Sequence, residues 1–315
     1  MVGNKHVRGV FPVKEAKLIR KVKRLLRQAR MPRWLHHFGP KKYEFYQHCL
    51  ALLVRELGKC SYRTVSHLLN GLGVPVPTYS ALAKMAQRVP SKLWNALLAA
   101  TNGFKHTVVA AIDGTYFSRR NPSFHYLKRT KQKLPLKRAV QTTALLDTRR
   151  KKWLSFKTRL VRRHESLDFE PVVNSSRSRL EQIVADKADD SEGVHRFCAR
   201  KHIRPHIPVR RKVRSGMQRR KHAACFRTRT YHRREIVESG FSRLKRTQGG
   251  FVKNRTCKAI RAELSLRFIN DNLGLLARFF AKRYLFQQSP PPPLPLKSQF
   301  RYLFHMFRQR NRGAV

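Results

Sequence analysis

A continuous run of apolar residues that ends in a carboxylate constrains the fold of this chain most strongly. Residues 107–113 read Thr-Val-Val-Ala-Ala-Ile-Asp, without the polar–apolar alternation of a strand that has one face in solvent. Such a run predicts a strand buried on both faces, which requires a sheet covered by helices on both sides. We expect the strand to end at Asp113, at or just before the turn pair that Asp113 forms with Gly114.

The segments that follow alternate between strand and helix patterns. Further strands are predicted at residues 140–146, 153–161, 181–186 and 203–209. The last of these contains Pro205 and Pro208, which favour an edge position because proline cannot donate to a ladder. Helices are predicted at residues 191–201, 230–248 and 258–286, and residues 169–179 fit a helix or a loop. This order predicts an α/β fold with a mixed sheet and helices on its faces.

The N-terminal third has helical periodicity. Helices are predicted at residues 16–29, 43–58, 61–69, 78–88 and 92–100. Residues 70–77 interrupt them, because an Asn-Gly-Leu-Gly break is followed by two Val-Pro pairs. A helix, a break and a second helix are typical of a helix-turn-helix, in which Tyr79, Lys84 and Arg88 would face DNA. A plain helical bundle fits the pattern equally well.

The charge balance indicates a polyanionic partner. The chain has 70 lysines and arginines against 17 acidic residues, a formal net charge of +53. Nucleic acid is the first candidate, although charge alone does not separate an enzyme from a protein that only coats its partner. Runs of about 18 apolar residues are absent, so no membrane span is expected, and no signal peptide is recognised. The five cysteines lack zinc spacing and indicate reduced thiols in the cytoplasm.

Two of the few carboxylates follow buried strands. Asp113 and Asp186 both end apolar runs, and sites in mixed sheets gather at strand ends. Carboxylates on neighbouring strands can share one or two Mg²⁺ ions, which suits phosphodiester chemistry. Taken singly, each aspartate also fits a simple turn residue.

A third carboxylate lies on a helix of unusual composition. On a regular helix Tyr231, Arg234, Glu238 and Lys245 would fall within roughly 60° of one another. A separate apolar stripe would pack on the sheet, and it consists of Val237, Gly240, Phe241 and Leu244. An Arg–Glu pair four residues apart is also common on ordinary amphipathic helices, but that explanation leaves the tyrosine and the lysine unexplained.

Together these residues resemble the motifs of the DDE transposases of bacterial and archaeal insertion sequences. The branch with a Y-x2-R-x3-E-x6-K motif matches at Tyr231, Arg234, Glu238 and Lys245. The first family motif resembles residues 112–115, Ile-Asp-Gly-Thr. The second resembles residues 186–190, which read Asp-Lys-Ala-Asp-Asp where the family commonly has Asp-Lys-Gly-Tyr-Asp. The resemblance covers roughly residues 105–285.

The resemblance implies a fold and a reaction. It implies an RNase H-like catalytic domain with the triad Asp113, Asp186 and Glu238, which would hold two Mg²⁺ ions, or Mn²⁺ in their place. The family cleaves double-stranded DNA at element ends and joins the freed 3′-hydroxyl to target DNA. By the same resemblance, Tyr231 and two cations, Arg234 and Lys245, contact DNA near the cut. A homodimer or larger assembly on DNA is expected, because two ends must be brought together. The resemblance also implies a prokaryotic cytoplasm, in association with the nucleoid.

We expect four regions along the chain. Residues 1–40 form a basic arm, and residues 41–102 form a helical, helix-turn-helix-like DNA-binding domain. Residues 103–286 form the catalytic domain. Residues 287–315 combine a proline-rich linker with a basic tail.

Two other functions remain open from the sequence. A non-catalytic nucleic-acid-binding protein would explain the charge but not the three carboxylates in this order. A transposase that has lost cleavage and only binds DNA would explain the altered second motif, at Ala188 and Asp189.

Overall fold

The strands form one mixed sheet, as predicted. In the computed structural model, residues 13–35, 41–103, 105–119, 140–161, 163–164, 166–210 and 215–274 are described. The strands are β1 (His106–Arg119), β2 (Val140–Asp147), β3 (Lys152–Arg159), β4 (Arg179–Val184), β5 (Arg204–His206) and β6 (Phe251–Val252). Their order is β3-β2-β1-β4-β5, with β6 paired to the far end of β1. β1, β2 and β3 are antiparallel neighbours, whereas β4 runs parallel to β1 and β5 parallel to β4.

The first strand is longer than predicted. β1 does not end at Asp113, because β2 continues to pair with it from Ala110 to Phe117. Pairing with β4 does stop, at Ala111. Asp113 therefore lies inside a strand but beyond the end of its parallel neighbour. The apolar run is buried on both faces only from Val109 to Ile112, since Val108 is exposed.

The predicted N-terminal helices are confirmed. They are α1 (Val13–Gln28), α2 (Phe45–Leu57), α3 (Tyr62–Gly71), α4 (Tyr79–Arg88) and α5 (Ser91–Asn102). Ser61 caps α3 by accepting the N–H of Thr64 at 3.0 Å. The break before α4 is held by the Asn70 amide, which donates to the Val76 carbonyl and accepts the Val76 N–H.

Helices cover both faces of the sheet. They are α6 (Ser166–Ser175), α7 (Glu192–Arg200), α8 (Met217–Ala224), α9 (Thr228–Tyr231), α10 (Glu235–Gln248) and α11 (Cys257–Leu273). One apolar core lies on the side of α6 and α7 and includes Ile112, Phe169 and Phe197. The other contains Trp153, Phe241 and Phe268, among others. The prediction of a strand buried from both sides is thus confirmed. β5 is shorter than predicted but lies at the edge. The helix predicted over residues 258–286 is seen as far as Leu273, and residues 275–315, with the rest of that prediction and the predicted linker and tail, lie outside the described part of the chain.

The N-terminal helices share the second core with the sheet. Residues from α1 to α5 belong to the same apolar cluster as α10 and α11. A buried group of charges adds a polar link between them. Arg55 and Glu56 of α2 lie beside Glu263 and Arg267 of α11, and Arg267 also donates to the Gly249 carbonyl at 3.0 Å. These contacts tie α2 to the loop that follows α10. In the described ranges, no helix combines the length and apolarity that crossing a membrane requires.

Candidate active site

Three carboxylates from separate parts of the chain face one arginine. Asp113 comes from the middle of β1, Asp186 from the loop after β4, and Glu238 from the first turns of α10. Arg234 donates from Nη1 to Asp113 Oδ2 at 3.3 Å, and its Nη2 lies 2.6 Å from Glu238 Oε1. The negative charge of Asp186 also acts on this guanidinium. Two of the three predicted acids therefore contact Arg234, and the third lies near enough for its charge to act on the guanidinium.

The charge on Arg234 is stabilised by this environment. Burial by itself would lower the pKa of the guanidinium. The charges of Asp113, Glu238 and Asp186 outweigh burial and raise the pKa above its usual value. Arg234 thus remains a permanent cation at the centre of the three acids.

The Asp113 side chain is held by the backbone of the next residue. Its Oδ1 accepts the N–H of Gly114 at 2.8 Å, and its side chain is 15% exposed. Glu238 is far more open, with 49% of its side chain exposed. Asp113 is therefore mostly buried on β1, whereas Glu238 is exposed on α10.

The loop after β4 contains three aspartates in different environments. Asp186 is half-buried, and its Oδ1 accepts the N–H of Lys187 at 2.7 Å. Asp189 and Asp190 are buried, at 6% and 3% exposure. Asp190 is bound by His195, Arg219 and the backbone N–H of Arg210. Of the acids in the second motif, Asp186 is the one most open to solvent.

The helix that carries Glu238 packs tightly on the sheet. The predicted apolar stripe of Val237, Gly240, Phe241 and Leu244 is buried throughout. A Cβ on Gly240 would lie 2.9 Å from Leu146 Cδ1 and 3.1 Å from two ring atoms of Trp153. Only glycine permits this close approach without displacement of the helix.

The predicted single helix from 230 to 248 is interrupted. α9 ends at Tyr231, and a 3₁₀ turn (His232–Arg234) precedes α10. Tyr231 packs its ring on Phe226, with centroids 5.7 Å apart. Lys245 lies near the end of α10, and its Nζ is 5.6 Å from the centre of the Phe117 ring. Burial lowers the pKa of the Lys245 amine. The four motif residues thus lie on three successive elements and not on one regular helix: Tyr231 on α9, Arg234 in the 3₁₀ turn, and Glu238 and Lys245 on α10.

The residues predicted for a DNA-reading helix lie on α4. Tyr79, Lys84 and Arg88 are all exposed, and the Tyr79 ring lies under the Arg63 guanidinium at 4.9 Å. The neighbouring Gln87 accepts the Thr256 hydroxyl just before α11, so α4 is tied to the start of α11. These three residues form a surface separate from the carboxylate cluster.

The donor chemistry of the cluster suits a hard divalent cation. All three acids offer oxygen ligands, the type that Mg²⁺ prefers. In the arrangement seen here they close on Arg234, and no group of three His, Cys, Asp or Glu side chains in the described ranges forms a metal cage. Any metal held by Asp113 and Glu238 would have to compete with Arg234 for their oxygens.

Sequence reasoning missed the residues that support the Asp186 loop. Arg210 donates from its side chain to the carbonyls of Lys187 and Ala188, and Arg219 donates to that of Asp190. Asp190 was visible as part of the second motif. Nothing in the pattern marks Arg210 among the 70 cations of the chain.

One of three comparisons with known proteins, a match to a family model, agrees with the motif resemblance. A search of curated proteins returned no match. Among solved structures, the chain is similar to a piggyBac transposase in a synaptic complex with hairpin DNA, at 12% identity and a TM-score of 0.39. The alignment covers 92% of this chain and 81% of that one. Residues 105–273, more than half of the chain, match the family model of the transposase DDE domain. The chain therefore belongs to the transposase DDE domain family.

Proposed function

We propose that this protein is a transposase that binds element ends, cleaves DNA by metal-assisted phosphodiester hydrolysis, and joins the 3′-hydroxyl ends to target DNA. The observation that carries the proposal is the convergence of Asp113, Asp186 and Glu238 around Arg234. The chain has 17 acidic residues at a net charge of +53, and the proposed metal site gives a reason for three of them to lie in one region. The family match over residues 105–273 supports the same reaction.

We also propose an RNase H-like architecture for the sheet domain. The supporting observations are the antiparallel β1–β2–β3 meander and the two parallel strands that follow it on the other side of β1. This topology brings the middle of β1 and the end of β4 to the same region of the sheet. The triad then takes Asp113 from β1, Asp186 from the loop that follows β4, whose strand ends at Val184 and not at Asp186 as expected, and Glu238 from a helix packed on the sheet.

Each part of the site has a role in this mechanism. Two Mg²⁺ ions held by the three carboxylates would supply an activated oxygen nucleophile and stabilise the departing 3′-oxygen. Asp113, fixed by the Gly114 N–H, provides the rigid side of the site. Arg234, released from Asp113 and Glu238, is free to bind a phosphate of the cleaved strand. Lys245 and Tyr231 extend the same contact along the DNA backbone.

The proposed partner is double-stranded DNA, bound as element ends and as target by a dimer or larger assembly. The exposed cations of α4, Lys84 and Arg88, are suited to phosphate contacts outside the cleavage site. Tyr79 adds an exposed aromatic ring on the same helix.

A nicking assay tests the proposal. The substrate is a supercoiled plasmid that contains the DNA flanking the coding region of this protein. With Mg²⁺ present, we expect the wild-type chain to nick it. Asp113→Asn and Glu238→Gln should abolish nicking while DNA binding persists.

The matched control is Glu235→Gln. Glu235 is exposed and lies three residues before Glu238 on the same helix, so its substitution makes the same chemical change. It should nick like the wild type. Equal activity in Glu238→Gln and Glu235→Gln would show that the triad is assigned wrongly. Wild-type chain that binds DNA but never nicks would favour a transposase that has lost cleavage.

A further inference from the structure

The loop that carries Asp186 is anchored by a buried carboxylate outside the proposed triad. Asp190, at the end of the 3₁₀ turn Lys187–Asp189, is 3% exposed. Its Oδ2 accepts the backbone N–H of Arg210 at 2.9 Å. Its Oδ1 lies 3.1 Å from His195 Nε2 and 2.9 Å from Arg219 Nε. A buried carboxylate with three such partners is fixed in place and has little capacity left for a ligand.

The same loop is held from outside by arginine side chains. Arg210 donates from Nε to the Lys187 carbonyl at 3.3 Å and from Nη2 to the Ala188 carbonyl at 3.1 Å. Arg219 donates from Nη2 to the Asp190 carbonyl at 3.1 Å. Three carbonyl oxygens within four residues are thus bound by two guanidinium groups. The turn itself is closed by the N–H groups of Asp189 and Asp190.

The contacts lie immediately beside Asp186 in the chain. Lys187 and Ala188 are the next two residues, so a shift of their carbonyls moves the Asp186 backbone directly. Glu238 lies 52 positions after Asp186 in the sequence, so the fold around the loop, and not the local chain, sets the position of Asp186 relative to Arg234. We propose that Asp190 and Arg210 are positioning residues that hold Asp186 toward Asp113 and Glu238. This inference rests on the proposed function, in which Asp186 is a metal ligand.

The expected effect follows from outer-shell contacts in metal sites. Loss of a group that orients a ligand typically lowers metal affinity by about 10- to 100-fold. Arg210 is exposed, so its removal should leave the fold intact. We expect Arg210→Ala to raise the dissociation constant for Mn²⁺ by about tenfold. Arg210→Lys retains the charge but cannot donate to both carbonyls in the geometry of a guanidinium. It should therefore recover part of the Mn²⁺ affinity that Arg210→Ala loses.

Two measurements on the full chain without DNA test the positioning role. Mn²⁺ binding is followed by the electron paramagnetic resonance signal of free Mn²⁺. Hydrogen exchange of the Asp189 and Asp190 amides reports whether the turn opens. The control is Arg204→Ala, which removes an exposed arginine from β5. Melting temperatures of all variants show whether the fold has changed.

The outcomes separate this inference from the proposed function. Weaker Mn²⁺ binding and faster exchange in Arg210→Ala, with Arg204→Ala like the wild type, support the positioning role. Unchanged Mn²⁺ affinity or unchanged exchange in Arg210→Ala overturns it. Asp186→Asn provides the reference. If Asp186→Asn weakens Mn²⁺ binding and Arg210→Ala does not, only the positioning role fails. If Asp186→Asn binds Mn²⁺ like the wild type, the ligand assignment fails and the positioning role fails with it.

Discussion

The contact of α10 with the sheet leads to a quantitative prediction at Gly240. The substitution Gly240→Ala adds one methyl group where a Cβ would lie 2.9 Å from Leu146 Cδ1 and 3.1 Å from two Trp153 ring atoms. The Trp153 side chain is held on several sides and cannot easily move away from an added methyl group. Its ring packs between Phe241 and Phe268, each with centroids at 4.9 Å, and its Nε1 donates to Asp271 at 2.7 Å.

Two opposing contributions set the size of the effect. Overpacking a close-packed core costs about 1–3 kcal/mol. Replacing glycine by alanine in a helix interior gains about 1 kcal/mol. The net expectation for Gly240→Ala is a loss of about 0–2 kcal/mol in the free energy of unfolding. A displaced α10 would also move Glu238, the proposed ligand two residues away. In the proposed function, a misplacement of about 1 Å there would cost up to about 10²-fold in rate.

A second glycine provides the matched control. Gly71 ends α3, and a Cβ there would meet nothing within 4 Å. Gly71→Ala should therefore keep the helix gain, up to about 1 kcal/mol, without the packing cost. Urea unfolding at 25 °C measures both variants, and the plasmid assay measures nicking. The reasoning is refuted if Gly240→Ala stabilises the protein as much as Gly71→Ala does and nicks at the wild-type rate.

Three further predictions concern other parts of the molecule. Glu263→Gln should lower the free energy of unfolding by about 1–3 kcal/mol in a urea titration, because it removes one of the buried acids that pair with Arg267 and leaves that arginine with Glu56. Burial lowers the pKa of His195, so the unfolded chain takes up a proton first as the pH falls below about 6.5. Stability should therefore fall below that pH, and His195→Gln should reduce the dependence. Replacing Lys84 and Arg88 by alanine should weaken DNA binding and reduce the slope of log affinity against log salt by about 2.

Each of these predictions has an outcome that contradicts it. A loss below about 1 kcal/mol in Glu263→Gln would mean that Glu56 by itself balances the charge of Arg267. An unchanged pH dependence in His195→Gln would assign the acid sensitivity to other groups. For α4, the control removes two exposed arginines of α7, Arg196 and Arg200. An equal change of salt slope in that control would mean that total charge, rather than the surface of α4, determines DNA affinity.

Much of the secondary structure could be predicted from local patterns. The apolar run before Asp113 identified a strand covered on both sides, and Ser61 identified the start of α3. The spacing of Val237, Phe241 and Leu244 identified the buried face of α10. These predictions succeed because periodicity and capping depend on residues a few positions apart.

The end of β1 could not be predicted in the same way. Asp113 and Gly114 read as a turn, but β2 pairs with β1 as far as Phe117 and extends it. Strand pairing depends on residues about 30 positions away, and hydrogen bonds to that partner outweigh a local preference for a turn. The 3₁₀ turn that interrupts the helix before Glu235 could not be predicted from the local pattern either.

By itself, the sequence determined that this chain has a mixed sheet between helices, a strongly cationic surface, and three acids in the order of the DDE family. The tertiary structure alone decided that Asp113 and Glu238 contact Arg234, that Asp186 is half-buried while Asp190 is buried, and that Gly240 sets the distance between α10 and the sheet. The physical reason is that Asp113 and Arg234 are 121 positions apart along the chain. Their contact depends on strand register and helix packing, which no local pattern of residues encodes.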